Sequence, residues 1–331
     1  MRINYFPAHT ARGWRCLAWL FCLLATLATG ASQPKQPVSG PLLFCYFKGN
    51  GTDGLHLAYS RDGYQWTALH GDSAVLRPAV AADRLLRDPC LIRGGDGQFH
   101  LVWTVSWQDR SVGYATSPDL VHWGAQRLLP VMATEPTARN CWAPELTYDP
   151  RTRTYLLYWA STLTGRFPET QSALENGYNH RLYCTTTADF QTFTPTRLLY
   201  EPGFNVIDAT IQPTGTGQGY VMFLKDETRE PAQKNLRLAF AKQLAGPYGP
   251  ASAPITGAGY WAEGPTAVHR GREWLVYFDK YREHRYGALA STDLTHWTDV
   301  SARVHLPAGL RHGTVLPITE AELQRLLFAE H

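Results

Sequence analysis

The chain has 331 residues, with 31 Lys and Arg against 28 Asp and Glu, a formal net charge of +3, and 11 Trp and 17 Tyr. Residues 1–30 hold Arg2, Arg12 and Arg15 and no acidic residue, so the remainder carries 28 basic and 28 acidic side chains. A neutral body of about 300 residues gives no electrostatic case for nucleic acid, and it is long enough for one large β domain or two smaller ones.

Arg12 and Arg15 precede an apolar run, 16–27, that ends in Ala28-Thr29-Gly30. A basic stretch, an apolar core and small residues are the three parts of an export signal. The run is shorter than the roughly 20 residues of a membrane span. Residues 1–30 are therefore expected to be cleaved near Gly30, giving a periplasmic or secreted product with no membrane partner. Residues 31–41 read as a linker. Four cysteines lie beyond the signal, Cys45, Cys90, Cys141 and Cys184, each in or beside a predicted strand and without metal spacing. They read as buried free thiols.

From residue 42 onward, short apolar runs alternate with turn residues, and helical periodicity is nearly absent before the last ten or so residues. This is an all-β pattern. It also repeats. AYSRDGYQW (58–66), YATSPDLVHW (114–123), CTTTADFQTF (184–193) and ALASTDLTHW (288–297) share a small-residue strand, a turn bearing Asp and a terminal aromatic, and LAFAKQLAGPYG (238–249) is a weaker copy. Trp66, Trp123, Phe193, Tyr248 and Trp297 follow one another at 57, 70, 55 and 49 residues. Asp62, Asp119, Asp189 and Asp293 in those turns read as structural. Each unit carries an earlier hairpin, turning at 94–97, 149–153, 215–219 and 269–272. Four-stranded units at this spacing predict propeller blades. The N-terminal piece, 42–67, lacks an innermost strand, and 312–318 is a strand without partners. Pairing the two completes a fifth blade and closes the ring, which removes exposed edges. The expectation is a five-bladed β-propeller over 42–319 with a helix-like tail at 320–331. The competing architecture is a two-domain sandwich.

The first polar residue of each innermost strand is Asp88, Glu145, Asp208, Glu263 and His312, spaced by 57, 63, 55 and 49 residues. Innermost strands start together at one end of a propeller channel, so these side chains are expected to converge. Clustered carboxylates repel, and at least one should hold its proton more tightly than usual. One protonated and one ionised carboxyl across a bond is what glycoside hydrolysis uses.

Arg87-Asp88-Pro89, Trp142-Ala143-Pro144-Glu145, Val206-Ile207-Asp208-Ala209, Glu263-Gly264-Pro265 and Arg311-His312-Gly313 occur in that order. The set resembles glycoside hydrolase family 43, over essentially all of 42–318. The resemblance implies an inverting glycosidase acting on arabinofuranosides, xylosides or galactofuranosides. It makes Asp88 the general base, Glu263 the general acid and Asp208 the carboxylate that orients the acid. It places Asn140, Trp142 and Glu145 in the sugar pocket, with Arg87 and Arg311 as further substrate contacts. No cofactor is required for the chemistry. A structural Ca2+ in the central channel, contacted by His312, is an expectation the resemblance carries. Two departures stand out: Ala209 follows Asp208 where Pro is common, and Glu145 stands where many members have Asp.

The leading reading is an exported exo-glycosidase that releases a terminal furanose or pentose from a carbohydrate chain. The long polar loops 132–139 and 164–180 favour a pocket over an open cleft. The rival readings are a non-catalytic sugar-binding propeller, and a related propeller enzyme such as a fructan hydrolase or a phosphorylase. The last would need Arg87, Arg285 and Arg311 to converge on a phosphate.

Overall fold

The computed structural model describes residues 1, 40–215, 219–257 and 259–329. The chain divides into Met1–Gln33 and Pro34–His331. The expected export signal and most of the linker lie outside the described residues.

Five small antiparallel sheets form a ring. Strands β1 (Leu42–Lys48), β2 (His56–Ser60) and β3 (Thr67–Ala68) begin the first blade. The second holds β4 (Arg87–Arg93), β5 (Phe99–Thr104), β6 (Val112–Ser117) and β7 (Arg127–Leu129). The third holds β8 (Trp142–Asp149), β9 (Thr154–Ser161), β10 (Arg181–Thr187) and β11 (Arg197–Tyr200). The fourth holds β12 (Val206–Pro213), β13 (Tyr220–Asp226) and β14 (Asn235–Ala241). The fifth holds β15 (Ala262–Arg270), β16 (Glu273–Lys280), β17 (Arg285–Ser291) and β18 (Thr298–Asp299). Strand β19 (Leu310–Pro317) then pairs with β1, Leu42 opposite Pro317 and Tyr46 opposite Gly313. The ring closes as the sequence implied, and each innermost strand packs on the next: β4 on β8, β8 on β12, β12 on β15, β15 on β19, and β19 on β4.

Each blade is sandwiched between two others, so its central strands are buried on both faces and read as unbroken apolar runs. All six residues of FHLVWT in β5 are buried. The core lies in the seams between blades. Leu57, Leu101 and Trp103 fill the first seam, and Val102, Leu157 and Trp159 the second. Met222 meets Tyr158 in the third, Phe223 meets Trp274 and Val276 in the fourth, and Phe44 meets Trp66 and Tyr277 in the last. Fully burying such side chains stabilises by about 1.5–3 kcal/mol each.

The repeated turn Asp is structural, as expected. Asp62 Oδ1 accepts from the backbone N–H of Tyr64 and Gln65, and Asp119, Asp189 and Asp293 do the same in their turns. The Ser or Thr two residues earlier (Ser60, Ser117, Thr187 or Ser291) accepts from the N–H three residues on. The fourth blade departs from the four-stranded pattern. Its outer segment bonds Gly249, Ser252 and Ile255 to carbonyls of Phe240, Leu238 and Leu236, without forming a ladder strand. Pro250 and Pro254 lack the N–H a ladder needs.

The tail is helix α1 (Glu320–Phe328), started by a capping box in which Thr319 and Glu322 satisfy each other's backbone N–H. It buries Leu323 and Leu326 against Leu43 and Ile318, in the first seam beside the β1–β19 pair that closes the ring. No helix among the described residues is long and apolar enough to cross a membrane.

Candidate active site

Backbone strain marks the site. Asp88 (φ 49°), Ala143 (φ 46°), Asp208 (φ 51°) and Gly264 (φ 57°) are left-handed, one on each of four innermost strands. At each, the ladder slips by one residue. Arg87 faces Thr104 but Cys90 faces Val102; Trp142 faces Ala160 but Glu145 faces Tyr158. Ile207 faces Lys225 but Thr210 faces Phe223; Glu263 faces Asp279 but Thr266 faces Tyr277. On β19 the extra residue is His312, between Arg311 and Gly313. A bulge re-aims a side chain and sharpens the twist, and strain repeated at matched positions marks a constrained site.

These bulges refine the alignment drawn from spacing. The matched residues are Asp88, Ala143, Asp208, Gly264 and His312. Glu263 comes one residue before its bulge and Glu145 two residues after, so the four acids do not share one level of the channel. Glu145 is buried, with Oε2 accepting from Thr210 Oγ1 at 3.1 Å. Glu263 keeps 21% of its side chain exposed.

His312 lies at the centre. Its Nδ1 is 3.5 Å from Asp88 Oδ1. It packs so tightly over Gly264 that a Cβ there would come within 2.5 Å of its ring. Burial alone would lower the imidazole pKa, but the Asp88 hydrogen bond and the charges of Asp208, Asp88 and Glu145 raise it to about 9. Asp88 responds in the opposite sense. Burial would raise its pKa, yet the His312 hydrogen bond, the Arg87 charge and a 2.9 Å hydrogen bond from Thr104 Oγ1 hold it at about 2. Thr104 Oγ1 also accepts from Ala143 N–H at 2.8 Å, tying the second blade to the third. Asp208 Oδ2 accepts from Gly264 N–H at 2.9 Å. Burial raises its pKa to about 6 against the opposing His312 and Lys225 charges. Burial likewise raises Glu145 to about 7.

Glu263 is held from both sides. Oε2 accepts from Lys225 Nζ at 3.0 Å and Oε1 from the Arg311 guanidinium at 3.1 Å. Arg311 Nε also donates to Asp279. Lys225 pairs with Glu227 at 2.6 Å, Glu227 with Lys234 at 2.5 Å, and Lys234 with Glu175 at 2.9 Å. Seven alternating charges thus run from the 164–180 loop through Glu263 to Asp279. Sequence reasoning missed Lys225 and Asp279. Each is the last residue but one of the second strand of its blade, opposite Ile207 and Glu263, and the register applied to those strands would have found them.

The remaining expected residues separate. Trp142 borders the site. Its ring packs against Tyr178 and His180, each at 4.7 Å, and edge-on against Trp107 at 5.6 Å. Trp261 meets Tyr281 edge-on at 6.0 Å. Asn140 does not reach the surface: it is fully buried, its amide donates to the Ala160 carbonyl, and its Oδ1 accepts from Thr162 N–H. It is a structural residue rather than a pocket lining. Glu145 likewise bonds within the channel. Arg87 lies over Trp107 at 4.2 Å and donates to Asn50. Arg311 holds Glu263 and Asp279. Arg285 pairs with Glu283, so Arg87, Arg285 and Arg311 have separate partners and make no phosphate cluster. Among the described residues no group of three or more His, Cys, Asp or Glu is placed to hold an ion by itself; Ca2+ takes six to eight oxygens, waters among them. All four described cysteines are free and buried.

A family model related to glycosyl hydrolase family 43, described as a probable glycosyl hydrolase domain, matches residues 39–324. No curated protein matches the chain. Among solved structures it is similar to a thermostable family-43 glycoside hydrolase at 14% identity, over 65% of this chain and 71% of that one, with a TM-score of 0.50. It is similar to an exo-β-1,3-galactanase from Phanerochaete chrysosporium at 13% identity, over 74% of this chain, with a TM-score of 0.50; the match spans 54% of the galactanase. An α-L-arabinofuranosidase from Lactobacillus brevis is 20% identical over 65% of this chain and 72% of its own, with a TM-score of 0.48.

Proposed function

This chain belongs to the family-43-related glycosyl hydrolases and is a glycosidase, and from that premise we propose an inverting, exo-acting enzyme that releases a terminal arabinofuranose, galactofuranose or xylose from a carbohydrate chain. The observation that carries the proposal is the contrast among the acids around His312. Asp88 is kept ionised by His312 and Arg87, while the pKa of Asp208 is raised to about 6 a single peptide away from Glu263.

Asp88 acts as general base. Thr104 and His312 orient its carboxylate, and it accepts a proton from the attacking water. Glu263 acts as general acid and protonates the leaving oxygen. Lys225 and Arg311 fix its position, and Asp208, bound to the next N–H along, acts through it. Inversion requires room for water between acid and base, carboxyls roughly 6.5–9.5 Å apart. The faces of Trp142 and Tyr178 give the sugar an apolar floor, and the polar groups around them suit its hydroxyls. The 164–180 loop, which carries Tyr178, supports exo action by raising one wall beside Trp142. The N-terminal 1–30 segment supports export, so that the enzyme acts on its substrate in the periplasm or outside the cell.

The test is the anomeric configuration of the first-formed product, followed by proton NMR during turnover of an aryl glycoside. Inversion supports the proposal. Retention contradicts the assignment of Asp88 as a base acting through water.

A further inference from the structure

The cations near the site fall into two groups. Lys225, Lys234, Arg237, Lys280, Arg285 and Arg311 each pair with a carboxylate. Arg87, Arg139, Arg229 and Arg282 make no ion pair with any described residue, although the Arg87 charge acts on Asp88 beside it. Arg139 lies over Tyr178 and donates to the Asn176 carbonyl. The other three share another property: each lies over an indole that borders the catalytic acids. Arg87, next to Asp88, sits 4.2 Å from the Trp107 ring centre. Arg282 and Arg229 sit 3.3 and 5.4 Å from that of Trp261, two residues before Glu263. Trp107 is 43% exposed, and Arg282 is exposed.

Stacking uses the flat face of a guanidinium and leaves its N–H edge free. The cation–π contact also fixes the side chain, so less freedom is lost when the edge takes a ligand. Arg87 uses one N–H on Asn50, at 3.0 Å; the side chains of Arg229 and Arg282 donate to no described residue. A planar fork of free donors matches the oxygens of a carboxylate or sulfate. An indole beside it matches the apolar face of the sugar ring bearing that group. The same pairing of indole and unpaired guanidinium occurs on the Asp88 side and on the Glu263 side of one site. The protein body is neutral overall, so this positive character is local rather than a general field.

Resting on the glycosidase reading above, we propose that the substrate is an acidic glycan, in which the residues beyond the released terminal sugar carry carboxylate or sulfate groups held by Arg87 at one wall of the site and by Arg229 and Arg282 at the other. The released sugar itself is neutral, and the acid lies on its neighbours.

Calorimetric titration of the full protein with three probes tests this: trigalacturonate, a sulfated galactotriose and neutral galactotriose. Binding is read without turnover, so failure of the glycosidase reading, seen as no hydrolysis of any aryl glycoside, is separate from failure here. One acidic probe should bind at least about tenfold tighter than the neutral one, the scale of a single charge-assisted hydrogen bond. Which acidic probe wins distinguishes uronate from sulfate. The preference should shrink several-fold on raising NaCl from about 0.05 M to about 0.5 M, and also in the Arg229→Ala/Arg282→Ala double variant. The salt arm holds even if that variant misfolds. Equal binding of the acidic and neutral probes overturns the proposal, as does a preference that survives both salt and the double substitution.

Discussion

Replacing His312 with Gln removes the buried cation that faces Asp88, Asp208 and Glu145. The distance between about 9 in the folded protein and the ordinary 6.5 corresponds to about 3 kcal/mol. Because the folded value is raised, that stabilisation is fully present below pH 6.5 and is lost as pH rises through about 9. Wild-type unfolding free energy should therefore decline across this window, and the decline should be absent from His312→Gln. At neutral pH the variant should be less stable by about 3–5 kcal/mol, the cost of leaving buried charges uncompensated. Asp88 carries the opposite sign. Its lowered pKa stabilises above 3.8, and this is lost as pH falls through about 2. Without His312, burial of Asp88 is less opposed, so the acid limb of its kcat/KM profile should move to higher pH. Urea unfolding across the alkaline window and a pH–rate profile read both effects. A variant that keeps the wild-type alkaline decline, or an unmoved acid limb, would refute the central role given to His312.

Lys225→Met should destabilise by about 3–5 kcal/mol, because Lys225 is 1% exposed and pairs with both Glu227 and Glu263. Adding Glu227→Gln should recover part of the loss in a urea melt. Gly264→Ala places a methyl group 2.5 Å from the His312 ring at a φ of 57°. The left-handed backbone alone costs about 1–2 kcal/mol, and turnover should fall with it as His312 is pushed from Asp88. Leu323→Ala should cost about 2–5 kcal/mol, seen as a lower Tm, since Leu323 is fully buried in the first seam.

Most of the architecture was legible because it is written in local chemistry. The turn Asp with its preceding Ser or Thr, and the aromatic that follows, recur in four blades. Closure by the C-terminal strand followed from a missing inner strand at one end and an orphan strand at the other. The fourth blade was harder, because Pro250 and Pro254 stop a strand without changing the apolar pattern. The site was legible in membership but not in level. Spacing treats Asp88, Glu145, Asp208, Glu263 and His312 as equivalent, while the bulges offset Glu145 and Glu263 from the rest. A one-residue slip turns a side chain to the other face, and no spacing rule detects it. Lys225 and Asp279 stayed hidden one residue inside the ends of apolar strands, where a charge reads as the onset of a loop. Asn140 lies two residues from Trp142, but on this fold it serves the backbone of 160 and 162.

The central claim is an acid–base pair made of Asp88 and Glu263. The most direct measurement is turnover of aryl α-L-arabinofuranoside, β-D-galactofuranoside, β-D-xyloside and β-D-fucoside by the protein and by its Asp88→Asn and Glu263→Gln variants, each with good and poor leaving groups. The account predicts hydrolysis of one sugar, lost in Asp88→Asn for every leaving group. Glu263→Gln should lose about 10²–10⁴-fold on poor leaving groups and much less on good ones, where protonation matters little. Equal losses in both variants on an activated substrate would contradict the assignment, and sugar binding without turnover on any substrate would contradict the enzyme.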